Sequence, residues 1–172
     1  MWRHRPALCF FERGCILADA KPVSQSQVVM TQLVLPSHTN SLGSVFGGTI
    51  MSWIDICAAI CSQRHCNKET VTASIDRLDF VAPVYKGWVV NLKASVNYTS
   101  RTSMEVGVRV DAENPKTGET FHTASAYLTF VALGSMGKPT AVPALVLESD
   151  DDKRRYEQAK KRREIRLQNK SR

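Results

Sequence analysis

The chain has 172 residues, 43% hydrophobic and 23% charged, with a formal net charge of +7. That length supports one domain with a real core, and no apolar run approaches the roughly 18 residues a membrane helix needs, so no membrane span is expected. Residues 151–172 hold ten Lys/Arg against four acids, so the tail carries +6 and the remainder only +1; the basic balance belongs to the tail.

Residues 1–24 open with MWRHRPALCFFERGC. Basic residues ahead of ALCFF resemble a signal peptide, but Glu12 and Arg13 cut the apolar run short. An extension that is poorly ordered is expected there. Residues 26–35 alternate Val, Met and Leu with polar residues and predict a strand ending at Pro36. A polar turn with Asn40 and Gly43 follows, then the pair Gly47 and Gly48.

The run from Thr49 to Cys61 contains no Gly or Pro and is long for a strand. It predicts a helix over about 47–64. Ile50, Ile54, Cys57 and Cys61 recur at helical spacing, as do Trp53, Ile56 and Ile60. Apolar residues on nearly all sides predict a buried helix. Asp55 is the one charge in it. It sits about two turns in, beyond the reach of the helix dipole, and a buried carboxylate is costly unless paired, hydrogen-bonded or protonated. Asp55 therefore either reaches the helix edge to bond a neighbouring loop or works as a functional carboxylate in a cleft. Two glycines at the helix start leave backbone N–H groups unpaired and admit a ligand close to the backbone, which suits an anion or a developing oxyanion. Tight packing of the helix against a sheet is the other use of such a pair.

Of the five cysteines, Cys57 and Cys61 lie on this helix; Cys9, Cys15 and Cys66 lie elsewhere. The odd number and the spacing are not those of a disulfide framework and fit a reducing cytoplasm. Cys61, His65 and Cys66 lack a C-x-x-C and a fourth ligand, so no metal site is expected.

Four further strands are predicted: 70–81, with imperfect alternation; 88–99, after the Lys86-Gly87 turn; 104–114, with Val106, Val108 and Val110 on one face; and 118–133, after the turn at Pro115 to Gly118. Strand, long helix and four closely connected strands make an α+β fold, one antiparallel sheet of about five strands wrapped around a central helix. A helix apolar all round needs cover on every side, which a second copy supplies. The domain is expected over 25–147, followed by a charged tail or helix over 148–172, either solvated or able to bind acidic partners or phosphates.

The combination P-S-H-T-N-x-x-G-x-x-F-G-G-x-x-x-x-W-x-D, Pro36 to Asp55, resembles the signature of hotdog-fold acyl-CoA thioesterases. These include the single-domain bacterial acyl-CoA hydrolases (YciA-like) and the tandem-domain cytosolic acyl-CoA hydrolases of animals. The segments D-F-V-A-P-V-Y-K-G, from Asp79, S-R-T-S, from Ser100, and A-Y-L-T-F-V-A, from Ala126, are similar to the same family. The resemblance covers about residues 26–145.

That resemblance implies two subunits sharing one continuous sheet, often three such dimers in a hexamer, and an active site at the dimer interface. Asp55 would activate water or attack the thioester directly, and Asn40 of the partner subunit would hold the water or the carbonyl. The N–H groups of Gly47, Gly48 and Thr49 would stabilise the oxyanion. Arg101, Thr102 and Ser103, with Lys86 as a weaker candidate, would contact coenzyme A, which is part of substrate and product rather than a cofactor. Trp53, Ile54 and Phe80 would line the acyl slot or simply pack the core.

Two other functions compete with hydrolysis. A hotdog dehydratase pairs a His with an acid, but the helix region offers no histidine beside Asp55, and His38 lies upstream in the loop. A non-catalytic module would bind acyl-CoA, or nucleic acid through its basic tail. A sensor is expected to lack the Asn40 and Asp55 pair or to carry a DNA-binding domain, and nucleic acid is not the expected partner.

Overall fold

The computed structural model describes residues 20–170. In chain order its elements are β1 (Lys21–Pro22), β2 (Val28–Leu33), α1 (Gly47–Cys66), β3 (Glu69–Phe80), β4 (Val89–Thr99), β5 (Ser103–Glu113), β6 (Thr120–Leu133), β7 (Leu145–Val146) and α2 (Asp150–Lys170). Strands β2-β4-β5-β6-β3 form one antiparallel sheet in that order, and β1 pairs with β7 in parallel. This is the α+β hotdog arrangement expected from the sequence.

The inner face of the sheet is built by period-2 alternation. Val90, Leu92, Ala94 and Val96 of β4, Val106, Val108 and Val110 of β5, and Ala124, Ala126, Leu128 and Phe130 of β6 are all buried. Against them α1 lays a single stripe: Ile50, Trp53, Ile54, Cys57, Ala58 and Cys61. The spacing is that of one helix face. The opposite side is left open within one protomer, the side for which the all-round apolar pattern predicts cover by a second copy. Met51 and Ile56 are 41% and 48% exposed within one protomer. The helix ends where Asn67 takes the left-handed conformation (φ 52°) and its N–H donates to the Gln63 carbonyl.

The imperfect alternation over 70–81 has a physical cause. Register shifts fall between Thr72 and Ser74 and between Ile75 and Arg77, so β3 is bulged twice. It is also an edge strand, paired only to β6.

Two expectations at the termini need correction. Residues 1–19, with Cys9 and Cys15, lie outside the described residues, but the end of the N-terminal extension joins the fold: β1 pairs with β7 and Val23 is buried. The basic tail is a docked helix rather than a solvated segment. Ser149 and Asp152 form a reciprocal cap, Ser149 Oγ accepting the Asp152 N–H and Asp152 Oδ2 accepting that of Ser149. From there α2 lies on the outer face of the sheet. Ala159 is fully buried and Tyr156 packs against Tyr98, ring centroids 5.0 Å apart. Arg162 pairs with Glu105 at 2.6 Å while its guanidinium sits 3.7 Å from the Tyr127 ring centre. Arg163 donates to Ser100 Oγ, and Arg166 pairs with Asp76.

Candidate active site

The loop before α1 is shaped by its own polar groups. Asn40 Oδ1 accepts the Leu42 N–H at 2.9 Å, its Nδ2 donates to Ser44 Oγ at 3.1 Å, and Gly43 turns the chain at φ +77°. His38 fastens the loop to the helix: its Nδ1 accepts the Leu35 N–H, and its ring meets Trp53 edge-on at 5.1 Å. His38 is thus committed to local structure and does not pair with Asp55.

The loop delivers the chain to Gly47 and Gly48. No intrahelical carbonyl lies ahead of these two residues to take their N–H groups. The expected third donor is otherwise engaged, since the Thr49 N–H donates to the Phe46 carbonyl at 2.9 Å. A Cβ at residue 48 would stand 2.5 Å from the Phe46 ring, so the ring lies directly over this glycine. Beside Gly47 opens a cleft of about 360 Å³ lined by Val45, Ile50, Phe80 and Val84. Phe80 faces this cleft, whereas Trp53 and Ile54 are core residues.

Two turns further on, the half-buried Asp55 reaches the edge strand. Thr72 Oγ1 donates to Asp55 Oδ1 at 2.6 Å. Thr72 immediately precedes the first β3 bulge. Sequence inspection missed it, because one threonine in a threonine-bearing strand carries no mark; only its position across from the helical carboxylate singles it out. Within the protomer no hydrogen bond joins Asn40 to Asp55 among the described residues.

Arg101, Thr102 and Ser103 form the β4–β5 turn, with the Arg101 and Thr102 carbonyls accepting the Val142 and Ala132 N–H groups. Arg101 and Lys86 are exposed, and neither has an ion pair among the described residues. They stand at opposite ends of the 11-residue strand β4, roughly 35 Å apart. Lys86 lies at the glycine end of α1, Arg101 at the far end. One protomer therefore does not gather the expected coenzyme A contacts in one place.

The buried thiols are chemically quiet. Burial pushes Cys57 up to about 11 and Cys61 up to about 12, and raises Cys66 as well. No group of three His, Cys, Asp or Glu side chains gathers as a metal site among the described residues.

A family model described as the thioesterase superfamily matches residues 42–119. YkhA of Bacillus subtilis strain 168, described as an uncharacterized acyl-CoA thioester hydrolase, is 45% identical over 128 residues, 74% of each chain. A hexameric acyl-CoA thioesterase solved without ligand superposes with a TM-score of 0.85 at 42% identity, over 88% of this chain and 97% of that one. An acyl-CoA hydrolase of Staphylococcus aureus, solved with butyryl coenzyme A, coenzyme A and coenzyme A disulfide, superposes at 0.83 with 37% identity, over 88% and 92%. Variants of that hydrolase with an asparagine, an aspartate or a threonine replaced by alanine have also been solved. With this identity and this superposition over most of its length, the chain belongs to the thioesterase superfamily, among its hotdog-fold acyl-CoA hydrolases.

Proposed function

We propose that the protein hydrolyses the thioester of fatty acyl-CoA to free fatty acid and coenzyme A, at sites shared between two subunits. The observation that carries this is the Asp55–Thr72 pair. A half-buried carboxylate, held at 2.6 Å by a hydroxyl, stands at an open sheet edge beside the uncovered Met51 and Ile56. The three positions replaced in the Staphylococcus aureus enzyme are spaced along that chain as Asn40, Asp55 and Thr72 are here, which supports the same trio.

A thioester carbonyl is electrophilic and a thiolate leaves readily, so the protein needs a base or nucleophile and an oxyanion donor. Asp55 activates a water, or attacks directly to give an anhydride that water opens. Thr72 fixes the carboxylate rotamer. Asn40 of the partner subunit orients the water or the carbonyl, and the N–H groups of Gly47 and Gly48 take the developing charge. Pairing of the free β3 edge with that of a second copy covers Met51 and Ile56 and joins two sheets into one. Because the ends of β4 are so far apart, the Arg101–Ser103 turn meets coenzyme A bound mainly by another subunit. Three dimers in a hexamer follow the related enzyme. The reaction uses no cofactor, since coenzyme A arrives as substrate and leaves as product, and the free buried thiols of Cys57, Cys61 and Cys66 suit a cytoplasmic location.

The engagement of Arg162, Arg163 and Arg166 by Glu105, Ser100 and Asp76 argues against a nucleic-acid-binding tail. Among the described residues, α1 and α2 are the only α-helices, and neither is long and apolar enough to cross a membrane.

Mixing tests the shared site. Asp55→Ala and Asn40→Ala are each expected to be nearly inactive on acyl-CoA, read by free thiol release. Co-refolded together they should recover part of the wild-type rate, because hybrid dimers contain one intact site. Hybrid dimers that form and stay inactive would sink the cross-subunit pairing.

A further inference from the structure

On the outer face of the sheet, away from Asp55, three side chains form a hydrogen-bonded series. Ser125 Oγ lies 3.1 Å from His122 Nε2, and His122 Nδ1 lies 3.3 Å from Asp111 Oδ1. An ionised carboxylate only accepts, so Nδ1 carries a proton, and in the neutral ring the lone pair of Nε2 faces the Ser125 hydroxyl. In that neutral form Ser125 donates to His122, and His122 to Asp111.

The fold builds this alignment with one irregularity. Residues three apart on a regular strand point to opposite faces. Between β5 and β6, however, Val110 pairs with Ala124 and Asp111 with His122, which leaves Thr123 as an extra residue. That bulge turns His122 onto the outer face with Ser125. Asp111 is only 7% exposed. Its burial works against ionisation, but hydrogen bonds from Arg109 and His122 and the charges of Arg109 and Lys93 outweigh it and hold its pKa below the ordinary value.

Ser125 also has space in front of it. It lines a cavity of about 400 Å³ between the sheet and α2, whose wall carries Lys93, Arg109, Arg154, Arg155 and Arg162. The nearby acids are Glu105, Asp111, Asp151 and, directly across from Ser125 on β3, Asp79; they are fewer than these cations, the first three are paired with them, and Asp79 is paired with Arg77. Ser95 Oγ, on the same wall, is buried with no hydrogen-bond partner.

We propose that Ser125 is the nucleophile of a second hydrolytic site, with His122 as its base and Asp111 as its positioning residue, acting on small anionic esters that enter this cavity. The Ser125 oxygen adds to the ester carbonyl as its proton passes to His122 Nε2. The carbon–oxygen bond to the alcohol breaks, and the alcohol leaves with that proton. Water then opens the acyl-serine through the same base, releasing the acid and restoring the hydroxyl, so ester and water give acid and alcohol with no redox change. Arg109, directly opposite Ser125 in the strand register, is the cation placed to neutralise the oxyanion. The site shares no residue with the Asp55 site, so each stands or falls alone.

The test uses the full-length Asp55→Ala protein, treated with a fluorophosphonate and mapped by peptide mass. A single adduct on Ser125 is expected, with none at that peptide in Ser125→Ala. Loss of the base should slow labelling about a hundredfold in His122→Gln. Asp111→Asn should also slow it, with part of the rate returning in Asp111→Glu, which a merely structural role would not produce. The same protein should cleave 4-nitrophenyl succinate faster than neutral 4-nitrophenyl acetate. Ser125 left unmodified, or a labelling rate unchanged in folded His122→Gln, overturns the proposal; the first outcome requires no substitution at this site.

Discussion

Thr72 Oγ1 donates a 2.6 Å hydrogen bond to Asp55 Oδ1, tying the central helix to the outermost strand of the sheet. A bond to a charged group contributes about 1.5–3 kcal/mol, and here it sets the direction of the carboxylate as well. Replacing Asp55 by Ala should lower kcat about a thousandfold or more, the range lost with a general base. Thr72→Ala should cost about tenfold to a hundredfold in kcat with little change in KM, while Thr72→Ser, which keeps the hydroxyl, recovers most of it. Steady-state thiol release on one acyl-CoA checks all three. A Thr72→Ala enzyme with full kcat would remove the hydroxyl from the mechanism.

Ile56 sits on the uncovered side of the same helix, 48% exposed. A charge placed there leaves the protomer's own core untouched. Ile56→Arg should therefore fold, with an unchanged circular dichroism spectrum, yet sediment as a smaller species and lose activity. Full-size assembly in the variant would place the subunit contact elsewhere.

Arg162 covers Glu105, whose side chain is only 2% exposed. Removing one partner of a buried ion pair leaves the other charge stranded, at a cost of about 3–5 kcal/mol. Because Arg162 itself is 22% exposed, the low end applies, and Arg162→Ala should lower stability by about 3 kcal/mol in urea melts. Glu105→Ala on top of it should restore much of that loss. A strictly additive double variant would show that the two groups do not act as a pair.

The thiols of Cys57 and Cys61 are raised to about 11 and 12 by burial. Both stay protonated at pH 8 and offer no nucleophile. Iodoacetamide at that pH should leave Cys57, Cys61 and Cys66 unmodified in the native protein and alkylate all three in guanidinium, read by mass mapping. Rapid alkylation of native Cys57 would contradict the packing of α1 on β4.

The elements that rest on local pattern were legible in the sequence. The apolar spacing from Ile50 to Cys61 marks α1, and the alternation at Val106, Val108 and Val110 marks β5. What escaped depends on partners distant in the chain. Thr72 gains its importance from a residue 17 positions away. Arg162 looked solvated because Glu105, 57 residues earlier, gave no sign of being its counter-ion. The Ser149 and Asp152 spacing was the available signal that a helix, not a loose tail, begins there. The separation of Lys86 from Arg101 by the whole of β4 is likewise a property of the sheet, invisible while the two were read as one binding set.

Strand β3, twelve residues long, has no strand partner on one side within the protomer, so about half of its backbone N–H and C=O groups point outward without a ladder partner, and Val71 and Ile75 stand exposed along it at 46% and 44%. A freshly synthesised monomer thus carries a sticky seam that any stray extended peptide can zip onto. If the proposed pairing with a second copy covers this seam, abundance itself guards the protein, and dilution should invite clumping and proteolysis well before the core gives way.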